Sequence, residues 1–322
     1  MGRTVVTVSR RLPGAVEQRL GELFDVRLNA RDEALGPDGL SAALAASDAI
    51  VSTLGDPLDA ATFSLRPVRA RIIAHFGAGY DNVDVAAARA RGVTVTNTPG
   101  VLTDDTADLT MLLILGAARR AGEGERELRG GAWTGWRPTH LLGTRVSGKT
   151  LGLVGFGRIG RAVARRARDG FGMRVRAWSR SLTEAAASDA GVERSDSLER
   201  LLADSDIVSI HVPSSRETRQ LLDAGRIALM PRHAILVNTS RGDVVDEAAL
   251  TSALRHGSIC AAGLDVFERE PHVSRELLSL DRVYALPHLG SATVESRTAM
   301  GMRVVANLDA FFRGQEVSDR VA

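Results

Sequence analysis

The sequence is poor in two residue types, since Cys260 and Lys149 are each the only residue of their kind among 322. A single cysteine excludes an intramolecular disulfide framework, so we expect a reducing compartment. Cys260 lies in an apolar run and is interpreted as a small buried side chain. The abundance of arginine and alanine is interpreted as a compositional bias rather than a functional signal.

Long hydrophobic runs, charge blocks and histidine clusters are also missing. No apolar run approaches the length of about 18 residues that a membrane-spanning helix needs, and residues 1–8 are too short and too polar for a secretory signal. We therefore expect a soluble, cytoplasmic protein without a membrane partner. The net charge is only +2 and no Lys/Arg block occurs, so no nucleic-acid partner is expected. The histidines outside position 288 show no ligand-like clustering, and no metal site is predicted.

The alternation of strand and helix signals predicts an α/β protein with two domains. Strands are predicted at residues 4–8, 24–28, 49–53, 72–75 and 94–97, then at 150–154, 174–178, 206–211, 234–238, 260–264 and 282–285. The predicted helices include residues 15–23, 37–46, 104–120 and 293–313. We expect two doubly wound parallel sheets: a flavodoxin-like substrate (catalytic) domain at 1–98 and 286–322, and a dinucleotide-binding Rossmann domain at 99–285.

A glycine-rich turn follows the strand predicted at 150–154. Gly155 permits a tight strand-to-helix turn, Gly157 lets the backbone approach a pyrophosphate, and Gly160 lets the helix pack closely on the sheet. The N–H groups and the positive dipole end of the helix can then bind phosphate. A strand at the expected spacing, residues 174–178, strengthens this interpretation.

The end of that next strand lacks the acidic residue that usually binds the ribose 2′-hydroxyl of NAD. Ser179, Arg180 and Ser181 stand there instead. An arginine can pair with a 2′-phosphate and hydroxyls can donate to it, whereas a carboxylate would repel it. The sequence therefore predicts a preference for NADP(H), with NAD(H) possible as a second cofactor.

Several motifs, taken in order, resemble one known family. They lie at residues 76–84, 101–108, 154–160, 238–247, 263–271 and 287–293. They are similar to the D-isomer-specific 2-hydroxyacid dehydrogenases, and the arm at 132–138 resembles that of the glyoxylate/hydroxypyruvate reductases. The resemblance implies reduction of small 2-oxo acids such as glyoxylate and hydroxypyruvate to D-2-hydroxy acids, by a homodimer.

Three residues of these motifs are predicted to be catalytic. Reduction of a 2-oxo acid puts negative charge on the carbonyl oxygen, which then needs a proton donor. His288 is the candidate acid, and Glu270 would hold its ring and favour the imidazolium. Arg241 can bind and orient the substrate carboxylate and carbonyl.

The resemblance also implies roles for residues outside this triad. Backbone N–H groups of Phe76, Gly77 and Ala78 should grip the substrate carboxylate, with Leu54 beside them. Asp265 should bind the nicotinamide carboxamide, and Trp136 is expected to reach the active site of a partner subunit. Further cofactor contacts, including one by His288 itself, are expected from Thr106, Arg158, Ile159, Val212, Pro213, Thr218, Thr239, Gly290 and Ser291.

Three other functions share this fold. Formate dehydrogenases have a Gln-His pair at the corresponding place, and Glu270 argues against that function. Phosphoglycerate dehydrogenases often carry a C-terminal regulatory domain, which is not expected after Ala322. The C-terminal binding protein corepressors keep the triad but act as nucleotide sensors that bind peptides, and their disordered tail is not expected in this chain.

Overall fold

The computed structural model describes residues 2–321, so residues 1 and 322 of the predicted substrate domain lie outside it. The chain divides into two compact units. The first unit runs to Leu102 and resumes at Ala292, and the second unit is Thr103–Ser291. Both divisions fall a few residues after the predicted bounds at 98 and 285. At the first division, Val101 and Leu102 pack against an apolar cluster of the first unit. At the second, the residues around His288 are hydrogen-bonded to Asp265, which belongs to the second unit.

Twelve strands form within residues 2–321, five of them in the first unit and seven in the second. The first five are β1 (Val5–Val8), β2 (Asp25–Leu28), β3 (Ala49–Thr53), β4 (Ile72–Phe76) and β5 (Thr94–Thr96). The others are β6 (Thr150–Val154), β7 (Arg174–Trp178), β8 (Glu193–Arg194), β9 (Ile207–Ile210), β10 (Ile235–Asn238), β11 (Ala261–Leu264) and β12 (Val283–Ala285). Only the two-residue strand β8 was not predicted, because a strand that short has no periodicity to recognise.

Both sheets are parallel throughout. The first has the order β2-β1-β3-β4-β5, which is the flavodoxin-like order. The second has the order β12-β11-β10-β9-β6-β7-β8, which is a Rossmann sheet with one added strand. The predicted fold class, two doubly wound parallel sheets, is therefore confirmed.

Thirteen α-helices and one 3₁₀ helix connect the described strands. The helices are α1 (Gly14–Leu23), α2 (Gly36–Ala46), α3 (Ala60–Ser64), α4 (Val85–Ala90), α5 (Thr103–Ala118), α6 (Ala121–Arg129), α7 (Arg158–Phe171), α8 (Glu184–Asp189), α9 (Leu198–Ala203), α10 (Ala224–Ile227), α11 (Glu247–Arg255), α12 (Arg275–Leu278) and α13 (Val294–Phe312). The 3₁₀ helix is Gly242–Val244. Between residues 2 and 321, none of the helices has the length and apolar character needed to span a lipid bilayer.

Each sheet is buried on both faces, as strands connected by crossover helices require. In the second unit, Leu151 and Leu153 of β6 pack into one apolar cluster and Val154 packs into the other. In the first unit, Ile72 and Ile73 of β4 divide in the same way between two clusters. This double burial leaves the strand ends as the places where polar side chains can meet a ligand.

Candidate active site

The glycine turn lies where the strand order of the second sheet reverses, between β6 and β9. Gly155 has a φ of 98°, in the left-handed region, and a Cβ there would lie 2.5 Å from the carbonyl oxygen of His211. A Cβ on Gly160 would lie 2.5 Å from the carbonyl oxygen of Gly155, which explains the close packing of α7. These two positions therefore tolerate only glycine.

Gly157 differs from the other two glycines, since a Cβ there would meet no atom within 4 Å. Gly157 caps α7 without a side-chain hydrogen bond, and the helix begins at Arg158, followed by Ile159. The space above Gly157 and the uncapped helix N-terminus suit the pyrophosphate of a dinucleotide. The residues present thus fit the predicted cofactor at its phosphates.

His211 lies directly after β9 and against the glycine turn, and sequence reasoning gave it no role. Its Nε2 atom lies 2.9 Å from the hydroxyl oxygen of Ser209. Burial lowers the pKa of His211 to about 3, so the ring stays neutral at working pH. A neutral ring can support the turn without contributing charge to the phosphate region.

The turn after β7 carries the predicted 2′-phosphate residues. Ser179 is half-buried and its carbonyl accepts the N–H of Leu182, while Arg180 and Ser181 are exposed to solvent. The turn itself carries no carboxylate. Glu217, from the loop after β9, lies near enough that the charge of Arg180 contributes to lowering its pKa, after the larger effects of the Ser215 hydroxyl and its own N–H group.

That loop after β9, residues 212–218, is closed by a threonine. Thr218 is buried, and its hydroxyl donates to the carbonyl of Pro213 at 2.6 Å and accepts the N–H of Ser215 at 2.8 Å. Val212 packs against the apolar cluster below. Thr218 therefore shapes the loop from inside it, a role that the sequence did not indicate.

Arg241 follows β10 in a tightly bonded turn. The amide of Asn238 accepts the N–H of Ser240 at 3.0 Å and donates to the carbonyl of Arg241 at 2.8 Å. The guanidinium donates to the carbonyl of Ser240 at 2.8 Å. At the next position, a Cβ on Gly242 would overlap the peptide unit of Phe267. Thr239 is buried in the same turn, with its hydroxyl 3.0 Å from that of Thr110.

Glu270 and His288 form a direct pair after β11 and β12. Oε2 of Glu270 lies 2.7 Å from Nδ1 of His288, and its Oε1 accepts the N–H of Phe267 at 2.9 Å. A carboxylate only accepts, so Nδ1 carries the hydrogen of this bond. The pair leaves Nε2 as the atom that can face a substrate.

The charges around Glu270 keep it ionised. Burial by itself would raise the pKa of Glu270, but the hydrogen bond and charge of His288, the N–H of Phe267 and the charge of Arg241 together lower it. The last effect brings Arg241 into the electrostatic environment of the pair. The three predicted catalytic residues therefore act on one another within the second unit.

Asp265 anchors the loop that carries His288. It is 1% exposed, and its two carboxylate oxygens accept the N–H groups of Leu289 at 2.7 Å and Gly290 at 2.8 Å. Its carbonyl accepts the N–H of His288, whose φ of 56° is unusual for a residue other than glycine. Burial raises the pKa of Asp265, and the two N–H groups and the charge of His288 only partly oppose this.

The predicted cofactor residue Thr106 secures the same loop from α5. Thr106 is buried, and its hydroxyl donates to the carbonyl of Gly290 at 3.0 Å. Ser291 follows directly and is the last residue of the second unit. Asp265 and Thr106 thus hold the backbone of residues 289–290, a support that the sequence did not indicate.

Comparison with known proteins explains this arrangement. Residues 111–290 match the family model for the NAD binding domain of D-isomer specific 2-hydroxyacid dehydrogenases. The chain is also 45% identical, over 97% of its length and 94% of the relative's, to a glyoxylate reductase of Thermococcus kodakarensis. The chain belongs to this dehydrogenase family.

Two further relatives agree with that membership. A glyoxylate reductase of Korarchaeum cryptofilum is 46% identical over 96% of this chain and 93% of its own. An NADPH-dependent glyoxylate/hydroxypyruvate reductase of Sinorhizobium meliloti, solved in complex with NADP and malonate, has a TM-score of 0.87 and 36% identity. That comparison covers 100% of this chain and 97% of the other. The resemblance drawn from the sequence motifs is confirmed, and the chain is a 2-hydroxyacid dehydrogenase.

The substrate-contacting residues predicted for this dehydrogenase from its first unit lie just after two strands. Leu54 follows β3, and Phe76 ends β4 ahead of Gly77 and Ala78. Phe76 is buried, and the guanidinium of Arg297 lies over its ring at 5.9 Å from the centroid. These residues all belong to the first unit.

The predicted arm of the dehydrogenase, residues 132–138, is irregular and carries two exposed tryptophans. Trp133 is 52% exposed and Trp136 is 82% exposed. Arg137 holds the arm by hydrogen bonds to the hydroxyl of Thr134 at 2.6 Å and to Nδ1 of His140 at 3.0 Å. Two large indole surfaces are therefore held out to solvent by polar contacts.

In the described part of the chain, no group of three or more His, Cys, Asp or Glu side chains suits a metal ion.

Proposed function

We propose that this protein is an NADPH-preferring reductase of glyoxylate and hydroxypyruvate that forms D-2-hydroxy acids. The observation that carries the proposal is the Glu270–His288 pair, in which a carboxylate engages Nδ1 and leaves Nε2 for the substrate. This is the arrangement that a general acid for carbonyl reduction needs. NAD(H) is proposed as the less preferred cofactor.

In the proposed mechanism, Arg241 binds the substrate, and His288 with Glu270 transfers the proton. When bound, NADPH supplies the hydride for the carbonyl carbon. Arg241 binds the substrate carboxylate and carbonyl oxygens and stabilises the charge that develops on the carbonyl oxygen. His288 donates the proton from Nε2 to that oxygen, and Glu270 keeps the ring oriented and favours its charged form. In the oxidative direction, the neutral ring of His288 accepts the proton.

The proposed cofactor preference rests on the turn after β7. Arg180 is exposed and can pair with a 2′-phosphate, and Ser179 and Ser181 can donate to it. The NADP complex of the Sinorhizobium meliloti reductase supports the use of this cofactor within the family. We further propose that Thr106, Val212, Pro213, Thr239 and Gly290 line the nicotinamide region, and that Asp265 contributes there while it anchors the loop.

The proposal also includes a homodimer. The exposed tryptophans of the arm 132–138 and the absence of any buried residue in α6 give this region an uncovered surface. Trp136 is proposed to contact the partner subunit near its substrate. The similarity to glyoxylate reductases favours this proposal over the phosphoglycerate dehydrogenase and corepressor alternatives.

A substrate panel tests the proposed function directly. Glyoxylate, hydroxypyruvate, pyruvate and phenylpyruvate should each be measured with NADPH and with NADH. We expect the highest kcat/KM for glyoxylate or hydroxypyruvate with NADPH. Turnover of none of the four acids would point to the nucleotide-sensing alternative, and a preference for NADH would overturn the cofactor assignment alone.

A further inference from the structure

The turn after β4 has three successive carbonyl groups that are all held by the first unit. The carbonyl of Gly77 accepts the N–H of Thr98 at 2.9 Å. The carbonyl of Ala78 accepts the side-chain amide of Asn97 at 2.7 Å, and the carbonyl of Gly79 accepts from Nε2 of His75 at 3.0 Å. Residues 77–79 are therefore fixed through their acceptor groups.

The donor groups of this turn are left available. Among residues 2–321, the N–H groups of Gly77 and Ala78 have no hydrogen-bond acceptor. Two adjacent N–H groups without acceptors form a site for an anion such as a carboxylate. The quality of that site depends on how firmly residues 77–79 are held.

His75 is the side chain that holds the far end of the turn. It is 0% exposed, at the end of β4, and Nδ1 lies 3.0 Å from the hydroxyl oxygen of Ser52 on β3. A carbonyl can only accept, so Nε2 carries the hydrogen that it donates to Gly79. In the neutral ring, Nδ1 then accepts from the hydroxyl of Ser52 on the adjacent strand.

The ring also explains why a glycine stands at position 77. A Cβ on Gly77 would lie 2.7 Å from Nε2 of His75 and 3.0 Å from the carbonyl oxygen of Gly79. The backbone of Gly77 is therefore packed directly against the hydrogen bond that His75 makes. Any displacement of the ring would move the N–H groups of the turn.

We propose that His75 is a positioning residue for substrate binding, because it holds the N–H groups of Gly77 and Ala78 in place for the substrate carboxylate. The inference rests on the proposed function, reduction of a 2-oxo acid, and on the expectation from the family resemblance that this turn grips the carboxylate of that acid together with Arg241. His75 itself does not touch the substrate. Its effect should appear in the binding of carboxylates rather than in hydride or proton transfer.

The test compares variants that keep or remove the bond to Gly79. His75→Gln places an amide nitrogen near the position of Nε2 and should keep the bond. His75→Asn is too short to reach Gly79, and His75→Leu removes the bond without a polar replacement. Ser52→Ala is the matched control, since it removes a buried hydrogen bond to the same ring and leaves the bond to Gly79.

We expect His75→Leu and His75→Asn to raise KM for glyoxylate about 10-fold, the effect of about one lost positioning hydrogen bond. KM for NADPH should stay within about twofold and kcat within about threefold. His75→Gln and Ser52→Ala should stay within about threefold of the wild type in KM for glyoxylate. Calorimetry of oxamate, an unreactive carboxylate, with the enzyme–NADPH complex should show the same order of dissociation constants.

The outcomes separate the inference from the proposed function. If the wild type reduces glyoxylate but His75→Asn and His75→Leu bind glyoxylate and oxamate normally, the inference fails and the proposed function stands. Equal losses in His75→Gln and His75→Asn, or an equal rise in KM for NADPH, would also overturn it. If His75→Leu does not fold, the Gln and Asn variants carry the comparison. A wild type that reduces no 2-oxo acid overturns both.

Discussion

The carboxylate of Asp265 accepts the N–H groups of both Leu289 and Gly290, at 2.7 and 2.8 Å. A side chain at the end of β11 thus fixes the backbone on the carboxyl side of His288. With Glu270 on Nδ1, the imidazole is held from both its ring and its main chain. The proton donor proposed for this dehydrogenase is therefore held in place by side chains and backbone of its own unit.

Replacing the proposed acid should affect chemistry and spare cofactor binding. His288→Asn should lower kcat for glyoxylate reduction by about 10²–10⁴-fold, because the proton is delivered in the transition state. The dissociation constant of NADPH, measured by fluorescence titration, should change little. Near-normal kcat, with chemistry shown to be rate-limiting, would rule out His288 as the acid.

Replacing Glu270 should shift the pH dependence. The hydrogen bond and charge of His288 help to keep the pKa of Glu270 low, so an ionised carboxylate lies 2.7 Å from Nδ1 of the imidazole. Glu270→Gln removes that charge, so the pH above which reduction fails should move downward. The measurement is kcat against pH for reduction, and an unmoved profile would contradict the assigned role of Glu270.

Cofactor preference should respond to the turn after β7. The double variant Ser179→Asp/Arg180→Ala should shift the ratio of kcat/KM for NADPH over NADH towards NADH by about ten- to a hundredfold, the effect of losing a charge-assisted contact. Arg216→Ala, on the loop after β9, removes an arginine without adding a carboxylate to this turn and serves as a control. An unchanged ratio in the double variant would show that the 2′-phosphate is bound elsewhere.

Alanine substitutions of the first two glycines in the turn after β6 should affect different properties, stability for Gly155 and cofactor binding for Gly157. Gly155→Ala combines a left-handed φ with overlap onto the backbone of His211, so it should lower Tm by about 5 °C or more. Gly157→Ala meets open space and should leave Tm nearly unchanged, while raising KM for NADPH about 10-fold, or about 1.4 kcal/mol. Thermal unfolding and initial-rate kinetics measure the two effects. A Tm loss in Gly157→Ala, or an unchanged Tm in Gly155→Ala, would contradict the prediction.

Light scattering at micromolar concentration should give twice the mass of the chain. The exposed Trp133 and Trp136 supply the apolar anchors that a stable interface needs. The double variant Trp133→Ser/Trp136→Ser should weaken association, whereas Leu65→Ser in the first unit, at a residue about as exposed as Trp133, should not. A monomeric wild type would contradict the proposed dimer.

The sequence predicted those features that local patterns encode. The strands, the turn at Gly155–Gly157–Gly160 and the His-Glu pair all lie in segments whose residue types and spacing carry the signal. The divisions between units in the structure fall a few residues after the predicted bounds. At the second of them, hydrogen bonds from Asp265 and Thr106 attach residues 288–290 to the second unit. Those bonds join residues far apart in sequence.

The side chains that support the site were also not predicted from the sequence. His75 lies within β4, His211 directly follows β9, and Thr218 closes the loop after β9. Their roles depend on which carbonyl or hydroxyl lies beside them in the folded chain. Glu217 is near Arg180 only because the loop after β9 approaches the turn after β7. No periodicity or spacing in the sequence reports such contacts.

Gly242 has a consequence for how this site can diverge. Its backbone lies directly on the peptide unit of Phe267, with no room for a side chain between them. The segment bearing Arg241 and the segment bearing Glu270 are thus in main-chain contact, and a shift in one is transmitted to the other. Core side chains around them can drift during evolution while the spacing between the orienting arginine and the glutamate is preserved by backbone atoms alone.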